Sequence, residues 1–228
     1  SDGPGLRDPI LGDGYIPGGS EAVMFAPYGH GELLLPPGRY QAWASRGPEY
    51  ELGVVDFEVD GSQRLDLELQ VVRSVDTSGW ISADFHVHAQ PSHDSGVTPP
   101  ERVFTMACEH VEFLVSSDHD FITDYRPVIE DVEMEQWLTA AVGLEVTPIE
   151  YGHFIGFPLV HDYLEMNGGA FDWAGLTPDD ILDGLRDLGD NGTEDPVTFV
   201  AHPRDGILGY FDQYGLDLWI DPENGLGP

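Results

Sequence analysis

Lysine is missing altogether from the 228 residues, so all nine basic side chains are arginine. That removes Schiff-base chemistry, a Walker-type phosphate loop and any metal centre bridged by a modified lysine. Cysteine is nearly absent. A lone Cys108 allows no intrachain disulfide and no thiolate zinc cluster. It sits in the helical stretch RVFTMACEHV with no basic residue close enough to lower its pKa, which reads as an inert buried thiol rather than a nucleophile. No apolar run is long enough to span a bilayer. The chain starts at Ser1 without a charged-then-apolar leader, so any targeting segment is expected to lie outside it.

Positive charge is scarce as well: 42 acidic residues face nine basic ones, a formal charge of −33. Such a surface repels phosphate backbones and anionic lipid, which speaks against nucleic-acid and membrane partners and leaves a small-molecule substrate. An acidic, lysine-free exterior reads as a solubilising surface of a salt-adapted or secreted protein, and points to export, secreted or periplasmic. Hydrophobic residues make up 41% of the chain, enough to bury a sizeable core in one large domain or two unequal ones.

The patterning divides the chain near residue 75. Before it, Val55, Phe57 and Val59 alternate with acidic residues, and Leu65, Leu67, Leu69 and Val71 alternate with polar ones. A polar turn, Asp60 to Gln63, lies between, predicting an antiparallel hairpin with one wet face. Residues 1–75 therefore read as a small all-β sandwich whose Gly/Pro/Asp-rich start is loose. After Gly79 the grammar changes to strands and helices. Thr98 with Pro99 and Glu101 forms a helix start and capping box, and VEFLVSS follows as a buried strand. Thr177 and Pro178 begin a second helix with Ile181, Leu182, Leu185 and Leu188 as its apolar stripe, and VTFVAHP is the next strand. Repeated strand and helix units imply a parallel α/β architecture, open or barrel-like.

Histidine is concentrated where these strands end. In ISADFHVHA, period two sends His86 and His88 to one face, aimed at a common centre. SSDHD places Asp118, His119 and Asp120 after the next strand. Glu145 ends another apolar run, His153 begins one, and His202 follows the last. Strand ends in α/β folds converge on one edge, where ligand sites are built. Imidazole with carboxylate, and no sulfur donor, suits divalent Zn, Mn or Fe. His30, His110 and His161 fall outside this pattern and read as surface or packing residues.

The ordered motifs DFHVHAQPSHDS, SSDHD, GLEVTPIEYGHFIGFPL and AHPRDGILGYF, from about Trp80 to Phe211, resemble those of the PHP (polymerase and histidinol phosphatase) superfamily, most nearly its CehA/McbA metallohydrolase branch. LPPGRYQAWASRGPEYE and VDTSGWISADFHVH resemble the β-sandwich, of carboxypeptidase-regulatory-like type, and the junction that precede the catalytic domain there. The resemblance implies a distorted (β/α)7 barrel over residues 76–228 with up to three divalent metals at its mouth. His86, His88 and a bridging Glu145 would hold the first. His119 would hold the second with Asp94, or with His93 as the alternative, and Glu145, His153 and His202 the third. Asp84 and Asp118, each near a ligand histidine, would fix imidazole tautomers. The superfamily pattern closes on an Asp-x-His pair, and no histidine follows His202, so the barrel is expected to be cut short at its C-terminus as a piece of a longer protein.

Such a cluster generates hydroxide from bound water for attack on a phosphoester or on a carboxyl or carbamate ester. Glu145, His202 and Arg204 are the candidate catalytic residues, Arg204 as a cation for an anionic ester or as the partner of a local carboxylate such as Asp205. A non-catalytic metal- or carbohydrate-binding extracellular module is the alternative from another class. An amidohydrolase-type barrel also uses H-x-H, but the missing lysine and the motif order count against it.

Overall fold

The computed structural model describes residues 22–61, 64–189 and 195–214. The expected loose segment at the chain's start lies outside these residues, as do Ser62 and Gln63 of the expected turn. The fold is mixed α/β. Its N-terminal part holds four strands: β1 (Gly38–Ala44), β2 (Tyr50–Glu51), β3 (Gly53–Val59) and β4 (Val72–Arg73).

β3 pairs antiparallel with β1, from Gly38 opposite Val59 to Ala44 opposite Gly53, and β2 pairs with β4. The hairpin expected between 55–59 and 65–71 does not form. β1 alternates as regularly as β3 and offers a seven-residue ladder in which Tyr40 stacks on Phe57 with centroids 5.5 Å apart, a cross-strand aromatic pair that favours this register. Residues 64–71 run alongside without strand pairing, although the Gln70 carbonyl comes so near Gly53 that a Cβ there would lie 2.7 Å from it. Among the described residues this region holds two two-stranded sheets, β1-β3 and β2-β4.

The second part begins with β5 (Ala83–Val87), α1 (Pro99–Cys108), β6 (Phe113–Ser116), α2 (Arg126–Asp131) and β7 (Thr139–Val142). Thr98 caps α1 with a full capping box to Glu101. β5, β6 and β7 are parallel neighbours, each pair separated by a helix, and Val87, Val103, Phe104, Leu114 and Tyr125 fill the core between sheet and helices. Burial pushes the Cys108 thiol up to about 11, which leaves it unreactive.

Then the direction of pairing changes. β8 (Leu144–Val146) continues β7 after Gly143, while β9 (Phe154–Phe157) and β10 (Val197–Val200) join it in the antiparallel order β10-β9-β8. The connection 147–153 is far too short for a parallel crossover, which takes about a dozen residues or more. α3 (Pro178–Asp187), capped by Thr177 and Asp180, covers this sheet with Ile181 and Leu185 fully buried. α4 (Tyr210–Gln213) ends the described chain. Neither an all-parallel arrangement nor a closed barrel is present among the described residues: β5 and β10 remain unpaired with each other.

Gly143 is the pivot. A Cβ there would meet Val115 Cγ1 at 2.5 Å and the Gly156 and Ser116 carbonyls at 3.1 and 3.2 Å. Only a residue without a side chain lets one strand pass from β6 to β9, and two residues later the chain delivers Glu145 between both sheets.

Candidate metal centre

Five segments reach one edge. β5, β6 and β10 run toward it, so His86, His88, His119 and His202 lie at or after their ends. β9 runs the opposite way, so His153 reaches the same edge by preceding its strand. The antiparallel turn of the fold therefore brings His153 into place.

Local geometry aims each ring. β5 carries a register irregularity between Asp84 and Val87, where Asp84 Oδ1 accepts the His86 backbone N–H at 3.0 Å and Ser117 Oγ accepts that of Val87 at 2.8 Å. Just beyond, Asp118 Oδ1 accepts the Ala89 N–H at 2.7 Å, its Oδ2 accepts from Tyr125 at 3.2 Å, and Arg102 Nε donates to the His88 carbonyl at 2.8 Å. The expected contact of Asp84 and Asp118 with imidazole nitrogens is replaced by these bonds to the backbone that carries the histidines. His119 lies opposite Glu145 in an isolated parallel bridge, and Asp120 N–H donates to the Glu145 carbonyl at 2.9 Å. His202 has φ of 25°, a conformation disfavoured outside glycine, and is anchored by Ala201 N–H on the His153 carbonyl at 2.9 Å.

Glu145 is the hub, with 0% side-chain exposure. Oε2 lies 3.1 Å from His86 Nε2, 3.0 Å from His88 Nε2 and 3.2 Å from His119 Nδ1. Oε1 lies 3.0 Å from His153 Nδ1 and 3.1 Å from His202 Nε2, and those two nitrogens are 3.1 Å apart. Five imidazoles thus crowd a carboxylate that offers about four lone-pair positions. His88 Nε2 and His119 Nδ1 are buried, close to Oε2 but off the line a hydrogen bond needs. Two ligand atoms about 2.1 Å from a shared ion stand roughly 3.0–3.4 Å apart at octahedral or tetrahedral angles, so these spacings fit edges of a coordination shell. Donor atoms within 4.8 Å of one another fall into the groups His86, His88, Glu145; His88, Asp94, His119; and His119, Glu145, His153.

Asp94 stands beside the hub, with Oδ1 3.2 Å from His88 Nδ1 and Oδ2 3.5 Å from His119 Nε2. His93 packs its ring on His119 with centroids 4.6 Å apart. Arg204 faces Asp212 at 3.4 Å and lies over the Phe211 ring. His30, His110 and His161 are elsewhere: His110 meets Glu49 at 3.1 Å and His161 packs on Tyr163.

Burial by itself would push the Glu145 carboxyl up, but the His153, His86 and His88 imidazoles set against its oxygens outweigh it and hold the group far below the usual carboxylate range. Asp94 is likewise opposed by burial, yet Ser92 and His88 hold it down to about 2. Burial lowers His119. Burial also works against His88, whose pKa is nonetheless raised by Glu145 and Asp94. Burial raises Asp118.

Several supporting residues carry no distinctive sequence signal. Ser92, Ser117 and Tyr125 look like ordinary loop and core positions. Asp120 accepts from Thr147 N–H at 3.2 Å and Trp173 Nε1 at 2.8 Å, tying three loops beneath the cluster across distances no local motif encodes.

No protein-family model matches the chain, and no curated protein matches it. Among solved structures it is similar to a two-domain protein from Bacteroides vulgatus described as containing a predicted PHP-like metal-dependent phosphoesterase, with 20% identity and a TM-score of 0.42 over 72% of this chain and 45% of that one. The chain spans less than half the length of that structure.

Proposed function

We propose that this chain is a divalent-metal-dependent hydrolase of the PHP type, in the CehA/McbA branch that its motif order resembles, acting on a phosphoester or a carboxyl or carbamate ester. The observation that carries the reading is the oversubscribed Glu145: five imidazole nitrogens stand within 3.2 Å of its two oxygens, and two of them are buried without a hydrogen bond. A network evolved for stability alone has no use for unpaired buried nitrogens, each of which costs about 1–3 kcal/mol. Cations set among them remove that cost. The ligand set assigned here is His86, His88, Asp94, His119, Glu145, His153 and His202, for up to three ions. Hard and borderline donors without sulfur select Zn, Mn or Fe.

Bound divalent cations supply a nucleophile at neutral pH and neutralise charge on the attacked group. The chain's own residues do the rest. Glu145 would help to hold ions on either side of it, because its two oxygens face different sets of rings and those imidazoles keep its carboxyl ionised. His86, His202 and Asp94 form the open side, with 32, 26 and 47% of their side chains exposed against 8% for His153 and 9% for His119. Substrate arrives there. Arg204, on the loop after His202, would exchange Asp212 for an anionic oxygen of the substrate.

The test is hydrolysis by purified protein supplied with Mn or Zn, assayed on p-nitrophenyl phosphate and on an aryl ester. Activity on either, lost in His86→Ala and Glu145→Ala, is the expected result; activity unchanged in both variants would overturn the assignment.

A further inference from the structure

The loop after β5 carries a hydroxyl that touches three members of the cluster. Ser92 is 2% exposed. Its Oγ donates to Asp94 Oδ1 at 2.7 Å, accepts the His119 backbone N–H at 3.2 Å, and lies 3.0 Å from His88 Nδ1. A serine hydroxyl has one proton and two lone pairs. The proton is committed to the carboxylate, the shortest of the three contacts and the charge-assisted one. Toward His88 the oxygen can therefore only accept.

The second oxygen near that nitrogen leads to the same result. Asp94 Oδ1 lies 3.2 Å from His88 Nδ1, and an ionised carboxylate has no proton to give. Two acceptors facing one ring nitrogen require that nitrogen to be N–H. The lone pair of His88 is then on Nε2, the atom buried 3.0 Å from Glu145 Oε2 without a hydrogen bond.

We infer that Ser92 is a positioning residue that holds His88 in the tautomer protonated on Nδ1, commits its Nε2 to the Glu145 side of the cluster, and sets Asp94 against His119. The consequence is a choice between overlapping groups. His88 belongs geometrically both to the set with His86 and Glu145 and to the set with Asp94 and His119. A ring with Nδ1–H serves only the first. Asp94 and His119 are left as the pair for a second ion, and Ser92 supports both sites through one oxygen. The part concerning ions rests on the proposed metal-dependent function; the tautomer does not.

The experiment is a long-range proton–nitrogen spectrum of EDTA-treated protein labelled with 15N-histidine, at about pH 8 where imidazole is ordinarily neutral, with His88 identified from the signals missing in His88→Asn. A single His88 tautomer with Nδ1 protonated is expected. A wild-type His88 protonated on Nε2, or an even mixture, overturns the proposal without any variant being needed. In Ser92→Ala the tautomers should mix, and affinity for added Zn should fall about 10- to 100-fold, the usual effect of losing a partner behind a metal ligand; Ser92→Thr, which keeps the hydroxyl, should restore both. Ser92→Ala with an unchanged tautomer and unchanged Zn affinity also overturns it. Should the wild type show the expected tautomer yet bind no Zn or Mn, the role of the hydroxyl stands and the metal reading falls.

Discussion

Replacing Glu145 by Gln separates a metal centre from a merely structural network. The substitution keeps shape and volume, removes the charge at a fully buried position, and turns one oxygen into an N–H2 group facing imidazole nitrogens. If the network were structural, the variant would lose about 3–5 kcal/mol, the usual cost of breaking a buried ion pair, and added metal would change neither protein. If the centre binds metal, the wild type gains stability from binding: at a free ion concentration a thousandfold above Kd, about 4 kcal/mol. For a chain of this length each kcal/mol shifts Tm by about 2–4 °C, so Tm should rise by on the order of 10 °C between EDTA and Zn or Mn. Glu145 lies in two of the three ligand groups, and the variant should lose most of that rise. Differential scanning calorimetry with elemental analysis of the same samples measures both. A wild type whose Tm ignores metal, or a Gln variant with the full wild-type rise, would refute the reasoning.

Metal affinity should fall as pH falls, because protons compete for the same nitrogens. His88, raised by Glu145 and Asp94, is protonated before an ordinary imidazole, so calorimetric titration with Zn should show weakening that begins above about pH 6.5; a constant affinity from pH 8 to 5.5 would contradict the imidazole ligand set. Tyr125→Phe leaves Asp118 Oδ2 without its hydroxyl donor in a fully buried site, and should lower stability to urea by about 1–3 kcal/mol while the number of bound ions stays the same. The charge of −33 should make the protein salt-dependent: as the Debye length contracts from about 30 Å at 0.01 M to about 3 Å at 1 M, Tm in NaCl should rise by several degrees, and a fall would show that self-repulsion is not a main cost of folding.

The chemistry of the site is largely local information. Alternation along ISADFHVHA puts two rings on one side of a strand, and acidic or imidazole residues recur wherever an apolar run stops. Helix starts are equally local: Thr98 and Thr177 each form their capping box within four residues of chain. Composition alone removes thiolate and lysine chemistry. These features depend on neighbours within about one turn or a few strand positions, which a linear reading contains.

Pairing is different, because several partners can satisfy one alternating strand. β3 takes β1 rather than residues 64–71 because stacked aromatics and a longer ladder lie there. β9 pairs antiparallel with β8 because the 147–153 link is short, and Gly143 lets a single strand serve two neighbours. The crowding of five imidazoles on one carboxylate, the Ser92 hydroxyl among three of the cluster's residues and the backbone grip of Asp118 come from segments far apart in the chain. Residue types and their spacing along the chain determined which donors exist. Only the packing of the strands, through close approaches such as that at Gly143, decided which atoms of those donors face one another.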